Sequence, residues 1–344
     1  MTSRLPRVAL VTSGFGPSLG GIGVVSAGIA EALAQDARIT VWRHRPDWPR
    51  WTRPLALFLR ASAASFRPPD FIVFTHVDLA RVMFVLPFLR NVPYAVLIYG
   101  IEVWRPLDRW TRMSLERAAA ILSISGHTVK KARVTNPWLP DAKVVWLGAA
   151  ERSISVRPRL KPIVLILGRM ASAERYKGHD ALLDAWPRVL AVVPDAQLII
   201  AGDGDDRARL EARAAGTASI RFAGFLSDEH RERLLRSAAV LVAISTGEGF
   251  GLAALEGAAS GLPVVGLKGT VTEELFPDGC GHVLLETSAP EPLADALTGL
   301  LTNVDRARAI GEAGVRRMRG VFTIGHFNQR IRAAMKPFIP TISQ

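Results

Sequence analysis

The chain has 344 residues, 49% of them hydrophobic and 22% charged, with a formal net charge of +12 and a pI near 10.7. That length exceeds what one core usually fills, so two domains are expected, and the composition excludes a disordered or fibrous chain. A single cysteine, Cys280, excludes an internal disulfide framework and suits a reducing, cytoplasmic setting.

Near the start, Arg4 and Arg7 precede an apolar run, but Val8–Val11 is too short for the core of a signal peptide. Gly14, Pro17 and Gly20-Gly21 then interrupt any apolar helix. RVALVTS (7–13) instead reads as a buried strand, followed by a glycine-rich turn and a helix over 22–34. ARITVWR (37–43), DFIVFTH (70–76), YAVLIYG (94–100), AAAILSIS (118–125) and KVVWLG (143–148) continue a series of βα units. The most apolar region, residues 71–101, is cut by Asp78, Arg81 and Arg90, so no segment is expected to span a bilayer.

The polar segment 148–162, with two prolines, reads as a linker, after which the pattern restarts. PIVLILGR (162–169) is a strand, a helix follows over 178–193, AQLIIAGDG (196–204) is a strand, and a charged helix covers 205–215. IRFAGF (220–225), VLVAIS (240–245), PVVGL (263–267) and HVLLE (282–286) are further strands with helices between. Near-continuous Val/Ile/Leu runs alternating with helices indicate parallel sheets covered on both faces. Two such doubly wound, Rossmann-like domains, 1–150 and 162–320, would face each other across a cleft, with ligands outside the carboxyl ends of the strands.

Charge divides unevenly between the two series. Residues 1–150 hold 19 Lys/Arg against 9 Asp/Glu and seven of the eight tryptophans, whereas the remainder is nearly balanced. The first domain's partner is therefore expected to be anionic. WRHRPDWPRWTRPLALFLR (42–60), with interleaved Trp and Arg and an amphipathic continuation, suits an anionic membrane surface and equally a solvated loop. Trp with Arg would also serve as a stacking platform in a nucleic-acid binder.

Three loops carry candidate chemistry. SGFGPSLGGIGVVS (13–26) offers glycines and a helix N-terminus to a phosphate, although it matches neither the dinucleotide fingerprint nor the P-loop. After the strand at 162–169, Arg169 and Lys177 can clamp a diphosphate, Arg as a planar fork and Lys as a point charge; solvated surface charge is the simpler reading of that spacing. In GEGFGLAALEGAASGLPVVG (247–266), Glu248 falls in a glycine-rich loop and Glu256 on the helix after it, among Ala253, Ala254, Leu255, Gly257, Ala258 and Ala259. Those neighbours make a solvated helix face a poor account of Glu256, and a carboxylate accepting ligand hydroxyls a better one. Zinc spacing and a G-x-S-x-G elbow are both missing, and His76 and His127, after strand ends, are read as packing or surface residues.

Taken together, Gly20-Gly21, Gly168-Arg169 with Lys177-Gly178, Gly202-Asp203-Gly204, and Glu248-x7-Glu256 followed by Gly261-Leu262-Pro263-Val264-Val265 resemble family 4 of the glycosyltransferases. The likeness is close over 162–290 and looser over 1–150. It implies the GT-B fold and transfer of a hexose-type sugar from a nucleotide-diphosphate donor with retention, without a metal or any cofactor beyond the donor as co-substrate. It further implies that Arg169 and Lys177 hold the diphosphate and stabilise the leaving group. Glu248 would accept donor-sugar hydroxyls, the backbone of Gly249, Phe250, Gly251 and Leu252 would cradle sugar and phosphate, and Glu256 would bind the ribose. Leu226 would meet the base through its backbone, and Gly21 the diphosphate.

Many members carry a His before a Gly after the fourth strand; here Tyr99-Gly100 stands there, with Glu102 matching an acidic position of the same motif. A phenol is no base at neutral pH, so the family's contact does not carry over, and Tyr99 and Glu102 are kept as acceptor-side candidates. The first domain would bind the acceptor, a lipid-linked or otherwise anionic glycan precursor, at the inner face of a membrane. The final helix, about 321–340, would cross back onto it. An epimerase or phosphorylase on the same fold is the alternative. A nucleic-acid partner is not expected, because nothing in such binding requires the paired acids.

Overall fold

The computed structural model describes residues 5–16, 20–43, 68–86, 89–149, 161–277 and 279–339. Most of the linker expected at 148–162, and all but the first two residues of the Trp/Arg run at 42–60, lie outside them. The chain divides into two compact units, Met1–Gly148 with Ile324–Gln344, and Ala149–Thr323. Each is built on a six-stranded sheet, parallel at every pairing.

In the first unit the strands are β1 (Arg7–Thr12), β2 (Arg38–Arg43), β3 (Phe71–Phe74), β4 (Tyr94–Ile98), β5 (Ala120–Ser123) and β6 (Ala142–Val144). Their order across the sheet is β2-β1-β3-β4-β5-β6, so the strand order reverses between β1 and β3. The helices are α1 (Gly20–Leu33), α2 (Val82–Val85), α3 (Arg109–Glu116), α4 (Gly126–Thr135) and, from the far end of the chain, α12 (Ile324–Met335).

β3, β4 and β5 are buried at every residue, whereas the edge strand β2 is largely exposed or half-buried, with Trp42 its buried residue. This is the physics behind the continuous apolar runs: inner parallel strands are covered on both faces and have no wet side to alternate with. The apolar stretch 71–101 folds as β3, a 3-10 turn (Val77–Arg81), α2 and β4, and its charged residues serve the turns: Arg81 pairs with Asp108 at 2.6 Å.

Helix α12 docks on α1 where Gly28 leaves room, since a Cβ there would stand 2.9 Å from Phe327 Cε1. The guanidinium of Arg332 reaches the buried Asp36, with Nη2 donating to Oδ1 at 3.0 Å and Nε 2.9 Å from Oδ2. Phe338 stacks on Phe71 with centroids 5.3 Å apart.

In the second unit the strands are β7 (Ile163–Leu167), β8 (Gln197–Ala201), β9 (Ile220–Gly224), β10 (Val240–Ala243), β11 (Val264–Leu267) and β12 (His282–Leu285), ordered β12-β11-β10-β7-β8-β9. The helices are α5 (His179–Val192), α6 (Arg207–Arg213), α7 (Asp228–Ser237), α8 (Leu252–Ala259), α9 (Val271–Leu275), α10 (Pro290–Thr302) and α11 (Val304–Val321). Strand order reverses between β7 and β10, which places the switch point of a doubly wound sheet there.

α5 buries Leu182, Leu183, Trp186 and Val189, the spacing of one helical face. Trp186 is fully covered and its Nε1 donates to Ser219 Oγ at 3.0 Å, so the indole's polar edge is satisfied inside the core. Most strands stop one to three residues short of their sequence-expected ends, because the terminal Ser, Thr and Gly residues leave the ladder to form the loops at the carboxyl edge. Arg169 accordingly lies in a loop rather than ending β7.

Candidate active site

The loop after β7 is fastened backbone to backbone against the loop after β8. Met170 N donates to Asp203 O at 3.0 Å and Asp206 N to Met170 O at 2.9 Å. Gly202 and Gly204, both at positive φ, allow this approach: a Cβ at Gly202 would overlap the carbonyl oxygen of Gly168. No side chain fits there. A 3-10 turn, Ser172–Lys177, then leads through Gly178, left-handed at φ 87°, into α5.

Two acids from the loop before α6 hold this turn. Ser172 donates through N and Oγ to Asp205 at 2.9 and 2.5 Å, and Arg175 Nη2 donates to Asp206 Oδ1 at 3.0 Å. Asp206 also accepts from Arg209 at 2.6 Å, and these guanidiniums hold its carboxyl well below the usual range.

The turn delivers Lys177 to the edge of β10. Its Nζ stands 3.2 Å from Glu248 Oε1, with both side chains about a quarter exposed or less. Glu248 is held there by the residues beside it. Thr246 N donates to Tyr176 O at 3.1 Å, and a Cβ on Gly247 would come within 2.5 Å of the Tyr176 ring. The phenol's pKa is raised by burial first and by Glu174 and Glu248 after it. Phe250 turns inward, 3% exposed and edge-on to Phe322, so its side chain anchors the loop and only its backbone faces outward chemistry. Gly251, left-handed at φ 79°, begins α8, whose N-terminus has no side-chain cap. Ala254 N donates back to Gly251 O at 3.0 Å, and the N–H groups ahead of it in the first turn are those that such a helix offers to an anion.

Along α8, Ala254, Leu255, Gly257, Ala258 and Ala259 are buried, and Gly257 lets the helix press on β10, a Cβ there meeting Leu241 Cδ2 at 2.8 Å. Glu256 lies on the same helix but accepts from Arg231 Nη1 of α7 at 3.2 Å. Arg169 is 67% exposed and folds back on Glu174: Nε donates to Oε2 at 3.1 Å and Nη2 donates to Oε1. That pairing raises the guanidinium's pKa further. Glu174 and Arg231 are the two charged partners that reasoning from the sequence does not single out. Leu226 is half-buried in the loop after β9, next to Phe225, which is 83% exposed.

Thus the second unit brings Lys177 and Glu248 into contact at the switch point and places Arg169 in the loop that leads to Lys177. Glu256 lies on α8 (Leu252–Ala259), beyond the loop that carries Glu248, and is held by a separate cation.

The first unit holds the other candidates. Gly21 is in the opening turn of α1, with nothing among the described residues within 4 Å of the place a Cβ would take. Thr12 and Ser26 brace the preceding loop through a 2.8 Å hydroxyl contact. Tyr99 follows β4; its amide donates to Glu102 Oε1, and its hydroxyl is buried with no hydrogen-bond partner among the described residues. Burial, and then the charge of Glu102, push the phenol far above its ordinary pKa, so it stays protonated at every working pH. His76 accepts from Asp78 N at 3.2 Å as the cap of the 3-10 turn, and His127 packs edge-on to Trp104.

Comparison with known proteins puts names beside this geometry. Residues 161–303 match the family model described as glycosyl transferases group 1. A phosphatidyl-myo-inositol mannosyltransferase of Mycobacterium leprae is 40% identical over 166 residues, 46% of this chain and 43% of that protein. A GDP-mannose-dependent alpha-(1-6)-phosphatidylinositol dimannoside mannosyltransferase of Mycobacterium tuberculosis is 36% identical over 148 residues, 43% of this chain and 38% of that protein. The matched region spans less than half the length of these curated relatives.

Over nearly the whole chain, two solved structures share the fold. Sucrose-phosphate synthase from Thermosynechococcus elongatus gives a TM-score of 0.78 at 19% identity, covering 97% of this chain and 99% of that one. Anabaena HepE in complex with UDP and glucose gives 0.76 at 17% identity, covering 96% and 100%.

Proposed function

We propose that the chain, whose residues 161–303 match the group 1 glycosyl transferases, is a retaining hexosyltransferase of the family 4 type on a GT-B fold. It takes a sugar from a nucleotide-diphosphate donor and delivers it to a lipid-linked acceptor. The observation that carries this reading is the meeting of Lys177 and Glu248 at the switch point between β7 and β10. An acid suited to sugar hydroxyls and a cation suited to phosphate stand side by side there, where a hexose joins its diphosphate.

In the reaction, the bond from the anomeric carbon to the diphosphate oxygen breaks and the acceptor oxygen attacks from the same face. The acceptor's proton passes to the departing phosphate oxygen. Arg169 and Lys177 stabilise the charge that develops on the diphosphate, the kind of preorganised electrostatic help that supplies most of such barrier reductions. Glu248 orients the sugar through its hydroxyls, Glu256 takes the ribose, and the open amides at the start of α8 face the phosphate or sugar oxygens. Tyr99 and Glu102 border the acceptor, the buried phenol acting by shape and not as a base.

The relatives named above direct the choice of donor and acceptor toward GDP-mannose and a phosphatidylinositol-type lipid. An anionic membrane surface is the partner of the first unit. Trp110 is 44% exposed on α3 with the Arg109 guanidinium 4.5 Å from its ring, and Arg112 and Arg117 lie over Trp138 and Phe84. Aromatic rings edged by arginines suit the headgroup layer. Among the described residues no helix is long and apolar enough to cross a membrane.

The deciding experiment incubates the chain with a panel of nucleotide sugars, GDP-mannose first, and phosphatidylinositol vesicles, and follows sugar transfer to lipid. Transfer with a retained anomeric configuration is expected. Donor turnover without any acceptor product would favour the epimerase reading, and no turnover or binding of any nucleotide sugar would overturn the transferase. Flotation with anionic vesicles at low salt tests the surface, absence of binding counting against it.

A further inference from the structure

Glu174 sits between the two cations of the proposed donor site and touches both. It lies in the turn Ser172–Lys177 with its side chain 14% exposed. Arg169 gives it two donors, and Lys177 Nζ is 3.8 Å from its Oε2. Lys177 is shared with Glu248 at 3.2 Å. The four groups therefore cancel to zero net charge, and the fork of Arg169, the edge best shaped for a phosphate, is occupied by a carboxylate.

Holding the loop together does not require Glu174. Ser172 is tied to Asp205, Arg175 to Asp206, Met170 to Asp203, and Gly178 N donates to Arg175 O at 3.3 Å. The carboxylate's contacts go instead to the side chains of the two residues that the chemistry needs free.

Resting on the donor-site reading, we propose that Glu174 is a positioning residue that acts as a resident counter-charge. In the donor-free protein it holds Arg169 and Lys177 in place without letting them draw other anions. When a nucleoside diphosphate binds, Arg169, two-thirds exposed and free to swing, transfers its fork from Glu174 to the phosphate oxygens. On product departure the carboxylate takes it back. The acid thus lowers the affinity for donor and product alike, and through the product it speeds release.

The test is titration calorimetry with GDP, and with UDP in parallel, at low ionic strength on the full chain. Glu174→Gln removes the charge and keeps the shape. It is expected to bind the nucleotide about tenfold more tightly, the scale of one screened unit charge at a few ångströms, and to show a steeper loss of affinity with added salt. Glu174→Asp, which keeps the charge, is expected to remain near the wild-type value. A tether for the loop would give the opposite pattern, weaker binding in both variants. If wild type binds and Arg169→Ala weakens it, a Glu174→Gln variant that binds no tighter overturns this inference and leaves the donor site standing. A Glu174→Gln chain that does not fold, by circular dichroism, overturns it too, since the loop's other ties would then be insufficient. Wild type that binds neither nucleotide overturns the donor site and this inference together.

Discussion

Lys177 Nζ stands 3.2 Å from Glu248 Oε1, a contact between the turn after β7 and the loop after β10 across 71 residues of sequence. The pair joins the cation proposed for the leaving diphosphate to the acid proposed for the sugar. Lys177→Ala removes the cation and leaves Glu248 without this partner. Turnover at saturating donor should fall by about two orders of magnitude or more, the usual cost of one stabilising donor at a developing charge. Near-normal turnover in that variant would sink the role given to Lys177.

Gly247 is where the two loops interlock. A Cβ there would lie 2.5 Å from Tyr176 Cδ2 and 2.7 Å from two neighbouring ring atoms, so the ring must move. Because Tyr176 O accepts from Thr246 N, moving the ring disturbs the peptide that leads to Glu248. Gly247→Ala should lower thermal stability by about 1–3 kcal/mol, the range for overpacking, and weaken nucleotide-sugar binding by more than that loss of folded protein explains. Donor affinity unchanged by calorimetry would show that the tyrosine yields freely.

Asp36 and Arg332 lie 296 residues apart and form a two-point contact that ties α12 to the turn before β2. Asp36 is 4% exposed, so removing Arg332 takes a two-point cation contact from a carboxylate that water barely reaches. Arg332→Ala should cost about 3 kcal/mol of stability by urea unfolding, the lower end for breaking a buried pair. Arg332→Lys should recover only part of it, since an ammonium lacks the fork. Equal stability of the alanine variant and wild type would show the pair to be surface-like.

These contacts mark the limit of what the sequence shows. Strand interiors such as FIVF and IVLIL were legible because inner parallel strands must be apolar on both faces. Their ends were not, because Ser, Thr and Gly fit both a ladder and the loop that leaves it. In the site, Glu248 and Glu256 stood out as acids among small apolar residues. Glu174 and Arg231 did not: each is a charged residue in a charged stretch, and only folding puts the first on Arg169 and the second on Glu256. The Asp36–Arg332 pair has no local signal at all.

Two histidines make the second unit acid-sensitive. His282 lies flat on Phe276, centroids 3.7 Å apart, and burial pushes its pKa down to about 3. His179, 3% exposed at the start of α5, is pushed down to about 4 by burial and then by Lys177. Both rings are neutral in the folded protein, while in the unfolded chain they take up protons near the ordinary value of 6.5. Acid therefore favours unfolding. The stability they contribute is present above about pH 6.5 and is lost as pH falls toward 4 and 3. Between pH 7 and 5 each should remove about 2 kcal/mol, since one proton taken up only by the unfolded chain costs about 1.4 kcal/mol for every pH step below its ordinary value. His282→Leu keeps an apolar neighbour for Phe276 without a titrating group, so it should flatten the slope of unfolding free energy against pH by about half over that range. Urea titrations at pH 7, 6 and 5 read this directly. A variant that loses stability with acid as steeply as wild type would assign the sensitivity to other groups.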